Sequence, residues 1–143
     1  MRLRLLIVVP SLEIGGAERQ VAVILKGLDK ERYERTLVCC SLRGPLVREI
    51  PDEVKKVDLG KRSRWDFPRL VLRLRRLISE LRPDIVLTST EYAALLAWCS
   101  VVLLRDRPLL VCRRDSIHSH SRWGERWRGI KRRIDRFVEK RAD

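Results

Sequence analysis

An open parallel β-sheet with α-helices on both faces, an α/β fold, is what this sequence predicts, and three observations predict it. Leu3 to Val9 is a near-continuous apolar run, as expected of a strand buried on both faces. Further short apolar runs alternate with segments of helical period, the signature of parallel strands joined by crossover helices. A glycine pair, Gly15-Gly16, follows the first run at the point where strand gives way to helix.

After the first strand, Ala17, Val21, Ile24, Leu25 and Leu28 recur at helical spacing. Arg35 to Ser41 ("RTLVCCS") reads as the second strand, Gly44-Pro45 breaks the chain, and Leu46 to Ile50 suits a short turn or helix. Val54 to Leu59 is a weaker, half-polar strand. Phe67, Leu70, Val71, Leu74, Leu77, Ile78 and Leu81 line one face of the clearest helix, with Asp66 as the expected N-cap and Pro68 in its first turn. Pro83 ends that helix, and "DIVLTS" forms the next buried strand. Tyr92 to Leu104 is apolar nearly all round, which predicts a helix packed deep on the sheet. "PLLVCRR" supplies the last strand. Trp123, Trp127, Ile130, Ile134, Phe137 and Val138 predict a closing amphipathic helix.

Composition narrows the function classes. With 143 residues, 45% hydrophobic and 36% charged, the chain has the make-up of one globular domain, not of a disordered segment. The N-terminal apolar run is too short for a signal peptide, and Tyr92 to Leu104 is too short for a membrane span. Cys39, Cys40, Cys99 and Cys112 form no Cys-x-x-Cys pair and are not spaced with the two histidines as zinc ligands would be. Reduced core cysteines, a cytoplasmic protein and no metal are therefore expected. The net charge of +13 points to an anionic partner: nucleic acid, an acidic membrane surface or a phosphorylated ligand.

In an open parallel sheet, ligands bind beyond the carboxyl ends of the strands. The loop from Ser11 to Gly16 is such a place, because glycine leaves room at the backbone and the following helix start attracts anions. It is neither a Gly-x-Gly-x-x-Gly dinucleotide fingerprint nor a P-loop, and a bare glycine pair suits a tight strand-to-helix turn as well as a ligand loop. Glu18 suits a helix first turn for dipole reasons alone.

The stretch "IVVPSLEIGGAERQVAVILKGLDKERYERTLVC" resembles the opening of family-four retaining glycosyltransferases of the GT-B fold. The similarity continues through "VDLGKRSRWDFPRLVLRLRRLISELRPDIVLTS", "PLLVCRRDS" and the closing "KRAD". The resemblance implies a Rossmann-like N-terminal domain spanning residues 1–143, one half of a GT-B enzyme, without the C-terminal nucleotide-sugar-binding domain. It implies metal-independent transfer of a sugar from a nucleotide-sugar donor to a glycan or glycolipid acceptor with retained configuration, and inactivity of the domain alone. By the same resemblance Gly15 and Gly16, with Glu18 and Arg19 beside them, form the donor-phosphate loop.

Thr88, Ser89 and Glu91, at the top of the "DIVLTS" strand, and Arg114, Asp115 and His118, beyond the last strand, are the acceptor-side candidates. Many members of the family carry histidines near the positions of Leu87, Ser89 and Arg114, so those histidine roles do not transfer. His118 and His120 suit surface positions in a polar loop as well as a cleft. A Ser/Thr residue in "TSTE" equally suits an N-cap for the next helix.

Arginines cluster between Lys61 and Arg82, where Arg69, Arg73 and Arg76 share the helix face opposite the apolar stripe, and between Arg122 and Arg141 beside Trp123 and Trp127. Such faces bind anionic bilayers peripherally, which places the protein on the inner face of the cell membrane as an alternative to a freely diffusing one. Solvated helix faces have the same pattern. Two other functions fit the charge: a non-catalytic, membrane-associated subunit recruiting a separate donor-binding partner, and a basic nucleic-acid binder. No helix-turn-helix, RNP or zinc pattern supports the last.

Overall fold

The computed structural model describes residues 2–112. Five strands and three helices alternate along them: β1 (Leu3–Val9), α1 (Gly16–Gly27), β2 (Tyr33–Cys39), β3 (Lys55–Asp58), α2 (Phe67–Leu81), β4 (Ile85–Thr88), α3 (Glu91–Val101) and β5 (Leu109–Cys112). Short 3₁₀ turns at Pro45–Glu49 and Arg64–Asp66 precede β3 and α2. The expected closing helix, with Arg114, Asp115, His118 and His120, lies outside the described residues.

The strands are all parallel and ordered β3-β2-β1-β4-β5. This is the Rossmann-like arrangement the alternation predicts. Side chains along a strand point alternately to opposite faces, so an unbroken apolar run feeds two cores. Leu5, Ile7 and Val9 pack with Val21, Ala22 and Leu25 of α1 on one face. Leu6, Val8 and Val86 pack with Leu70, Leu74 and Ile78 of α2 and with Leu96 and Ala97 of α3 on the other. Ser100, buried on α3, donates to the carbonyls of Leu96 at 2.7 Å and Val71 at 3.3 Å, which satisfies its hydroxyl where the two helices touch.

Two expectations change. Asp66 does not cap α2 forward. Its carboxylate turns back to accept from the backbone N–H groups of Arg62 at 2.7 Å and Ser63 at 2.9 Å, closing a capping box on the 3₁₀ turn that Ser63 begins. The reason is Pro68: it has no N–H, so a forward cap would lose one of its two donors.

The basic face of α2 is also largely committed within the chain. Arg73 donates to the carbonyl of Leu59 at 2.7 Å, and Arg69 to the carbonyl of Gly60 at 2.8 Å and to Asp66 at 3.0 Å. Arg76 pairs with Glu80 one turn along. These arginines lash the helix to the end of β3, so the charge pattern there has a structural cause.

At the opposite end of the sheet, Arg35 is buried in β2 and donates to the carbonyl of Leu25 at 2.6 Å, capping the last turn of α1, and to the exposed Glu53 at 3.0 Å. The carbonyl has no water to replace the guanidinium, whereas Glu53 does. Arg35→Met is therefore expected to lower unfolding free energy by about 2 kcal/mol, and Glu53→Gln by about 0.5 kcal/mol, measured by urea denaturation. Equal losses would show that the surface ion pair matters as much as the buried cap.

The two backbone donors that Asp66 accepts from hold its carboxyl below the usual carboxylate range, with nearby Arg69 and Arg62 adding to the effect. A lowered folded-state pKa stabilises the fold above the unfolded-state pKa, and that stabilisation disappears as pH falls through the folded value. Asp66→Asn should therefore destabilise the chain at neutral pH and progressively less as pH is lowered through the carboxylate range. Equal destabilisation at neutral and acid pH would contradict the cap.

Candidate functional site

The chain winds from β1 to β2 in one direction, and later enters β4 on the other side of β1. The loops leaving β1 and β4 consequently part at the carboxyl ends of those two strands. In open parallel sheets that switch point is where ligands bind. Val8 and Thr88 are the last register partners of the two paired strands there.

The loop from Pro10 to Gly15 forms one wall, and backbone hydrogen bonds to the segment after β2 hold it. Leu12 donates to the carbonyl of Arg43 at 2.9 Å, Leu46 donates to the carbonyl of Leu12 at 3.1 Å, and Ser41 donates to the carbonyl of Pro10 at 3.0 Å. Leu12 is fully buried. Gly44 makes this contact possible. It has φ +114°, and a Cβ on it would collide with the backbone of Leu12 and Glu13. The Gly44-Pro45 break is thus the seat on which the β1 loop rests.

Gly15 and Gly16 differ from Gly44. Gly15 is the N-cap of α1 with φ −155°, extended backbone that any residue adopts. A Cβ there would meet only the Glu18 carboxylate, the movable end of a side chain, and a Cβ on Gly16 would meet nothing within 4 Å. The left-handed glycines among the described residues are Gly44 and Gly60. Positive φ is therefore not what the pair supplies, and neither glycine is required by the packing of the described chain. Gly16 leaves open space at a helix N-terminus among the described residues. Glu18 sits in the first turn of α1, its carboxylate folded over Gly15 at the positive end of the dipole, and Arg19 is exposed beside it.

The other wall is the turn from β4 into α3. Thr90 caps α3, its hydroxyl accepting from the N–H of Ala93 at 3.2 Å, so the capping role belongs to this residue. Thr88 and Ser89 are buried, and their hydroxyls have no protein partner. Glu91 opens α3 in its first turn. The structure therefore brings Gly15, Gly16, Glu18, Arg19, Thr88, Ser89 and Glu91 to one edge of the sheet. Arg114, Asp115 and His118 fall outside the described residues.

Sequence reasoning missed a group beside this wall. Tyr92, in the first turn of α3, packs edge-on against Phe67 of α2 with ring centroids 5.9 Å apart. The Lys61 ammonium lies 4.4 Å from the centroid of the same ring. Residues 61, 67 and 92 converge only through the topology, so no local pattern announces them. The Tyr92 hydroxyl is buried without a partner. Burial, then Cys40 and Asp66 nearby, raise its pKa, which keeps the phenol protonated.

The four cysteines are all thiols. Burial pushes Cys39 up to about 12 and Cys40 up to about 11, so neither is a thiolate nucleophile at neutral pH. Among the described residues no cluster of His, Cys, Asp and Glu could hold a metal ion, and no helix is long and apolar enough to cross a membrane.

The model of the family described as Glycosyltransferase Family 4 matches residues 14–143. The chain belongs to that family. Its fold is shared by a glycosyltransferase from Rickettsia africae ESF-5 (TM-score 0.65, 15% identity), with 90% of this chain aligned to 33% of that one. The lipopolysaccharide outer core galactosyltransferase WaaB aligns 77% of this chain with 32% of its own (TM-score 0.58, 14% identity). A UDP-GlcNAc 2-epimerase from Methanocaldococcus jannaschii aligns 96% of this chain with 37% of its own (TM-score 0.61, 12% identity). The chain thus spans about a third of the length of these structures. A search of curated protein sequences finds no match.

Stability measurements separate the glycines. Gly44→Ala should cost about 2 kcal/mol or more, because strained φ adds to a backbone collision. Gly16→Ala should be neutral or stabilise by up to about 1 kcal/mol at an open helix position. A large loss at Gly16 in thermal unfolding would contradict the packing described here.

Proposed function

We propose that this chain is the acceptor-side half of a two-domain glycosyltransferase that moves a sugar from a nucleotide-sugar donor to a glycan acceptor with retention of configuration. One observation carries the reading: at the switch point of a glycosyltransferase-family domain, Gly16 opens a helix with nothing among the described residues within 4 Å of where its side chain would stand. Support comes also from the neighbours, of which this chain aligns with about a third; two of them are named for lipopolysaccharide galactosyl transfer and for UDP-GlcNAc epimerisation.

In this mechanism a second domain holds the nucleotide and closes on the carboxyl edge. The start of α1, with no side chain at Gly16, admits the donor diphosphate to the backbone amides and the positive end of the helix dipole. Those fixed dipoles stabilise the charge that develops on the departing phosphate. Glu18 must give up part of its place over Gly15 to that anion, and Arg19 offers a compensating cation. Thr88, Ser89, Glu91, Arg114, Asp115 and His118 are the residues proposed to serve the acceptor. No metal enters the proposed chemistry, and without the nucleotide-holding half the domain transfers nothing.

A lipid-borne acceptor has its own observation. Trp65 is 80% exposed on the loop before α2, with Arg64 stacked 5.6 Å from its ring. That loop, and not the committed arginines of α2, is the feature suited to peripheral contact with an anionic membrane.

In the full-length protein, Gly16→Ala should cut sugar transfer by about a hundredfold, the scale of losing one aligned amide at a charged transition state. Its thermal midpoint should hold or rise. Transfer at the wild-type rate would contradict the reading.

A further inference from the structure

Beyond the carboxyl ends of β1 and β2 the two segments stay zipped together. Cys40 donates to the carbonyl of Val9 at 3.0 Å, Ser41 to that of Pro10 at 3.0 Å, and the pairing runs on through Leu12. Leu12 is held in three ways. Its N–H goes to Arg43, its carbonyl accepts from Leu46, and its side chain is fully buried in the core that Leu46 shares. The next two residues, Glu13 and Ile14, are exposed. The β1 loop therefore has a fixed half and a projecting half, and they meet at the Leu12–Glu13 peptide.

This goes further than the sheet requires, since the register of β1 and β2 is complete at Val9 and Cys39. The extension depends on two adjacent residues. Gly44, at φ +114° and ψ 160°, occupies a region of backbone space open to glycine almost alone, and lies against the backbone of Leu12 and Glu13. Pro45 follows with φ fixed by its ring and opens the 3₁₀ turn that carries Leu46 to Leu12. Glycine permits the approach and proline stiffens it.

A Cβ at residue 44 would meet the carbonyl of Leu12 and the amide nitrogen of Glu13. These are backbone atoms that cannot rotate aside as a side chain would, so the Leu12–Glu13 peptide itself must shift. Only Ile14 separates Glu13 from Gly15. So short a connection passes a shift on to the start of α1 where a long loop would absorb it. Displacing a binding group by about 1 Å through a change remote from the chemistry costs about a hundredfold in rate.

We propose that Gly44 and Pro45 are positioning residues for sugar transfer: they fix the Leu12–Glu13 peptide, and through it the place at which Gly15 and Gly16 meet the donor. The assignment rests on reading the β1 loop as the donor side. Neither residue touches substrate; both act through the loop they support. A loop released from this seat has to be ordered again at each binding event, which weakens binding as well as slowing the reaction.

The test compares Gly44→Ala with Arg35→Met in the full-length protein, well below both thermal midpoints. The two lose similar stability at opposite ends of the sheet. Gly44→Ala should lower kcat/KM for the nucleotide-sugar about a hundredfold, with KM raised as well as kcat lowered. Arg35→Met should leave KM unchanged, because a smaller folded fraction lowers kcat alone. Amide exchange without substrate is the second readout. The N–H groups of Leu12 and Arg19, bonded to the carbonyls of Arg43 and Gly15, should exchange about tenfold faster in Gly44→Ala than in Arg35→Met. Pro45→Gly, at an exposed position, serves where Gly44→Ala does not fold; it should lower kcat/KM about fivefold and speed the same two amides. Wild-type KM in Gly44→Ala and Pro45→Gly, or exchange no faster than in Arg35→Met, overturns the proposal. A full-length protein that transfers no sugar would sink the transferase reading, and the exchange rates would still decide whether Gly44 and Pro45 hold the loop.

Discussion

The pairing of β1 on both sides is the constraint from which the rest of the molecule follows. Buried from Leu5 to Val9 and flanked by β2 and β4, this strand can have no crossover from one neighbour to the other without a reversal of winding. The reversal parts two loops at its carboxyl end. Each loop is then fixed by a separate device: the first by Gly44 packed against Leu12, the second by Thr90 capping α3. Two separately held loops at the switch point are the outcome, in a protein whose helices otherwise cover both faces of the sheet.

The burial of charge follows the same geometry. Arg35 caps α1 at the amino end, where its neighbours are matched by carboxylates, while Arg69 and Arg73 satisfy backbone carbonyls at the end of β3. Much of the basic composition is consequently structural. The arginines so used are not available to a ligand, so the net charge of +13 overstates the cations that are.

The element order and both cores are legible in the sequence because hydrophobic periodicity is local. The run Leu3 to Val9 and the stripe through Leu70, Leu74 and Ile78 each carry their own evidence. The same is true of Thr90, a Thr placed one residue before an apolar helix. What is not legible depends on contacts between distant residues. The role of Asp66 reverses because Pro68 withholds a donor and Ser63 offers a better turn. Gly44 looks like a simple chain breaker until Leu12 is seen beneath it. Lys61 and Tyr92 meet only when β3 and α3 are laid on opposite sides of β1, so neither residue carries a signal of its own.

The central claim is that ligands engage the carboxyl edge at the β1–β4 switch point. It is tested most directly by hydrogen exchange on the full-length protein, with and without donor and acceptor. The account predicts slowed exchange in the segments from Pro10 to Arg19 and from Ser89 to Tyr92. Protection confined to the amino end, around Arg2, Lys30 and Tyr33, would contradict it.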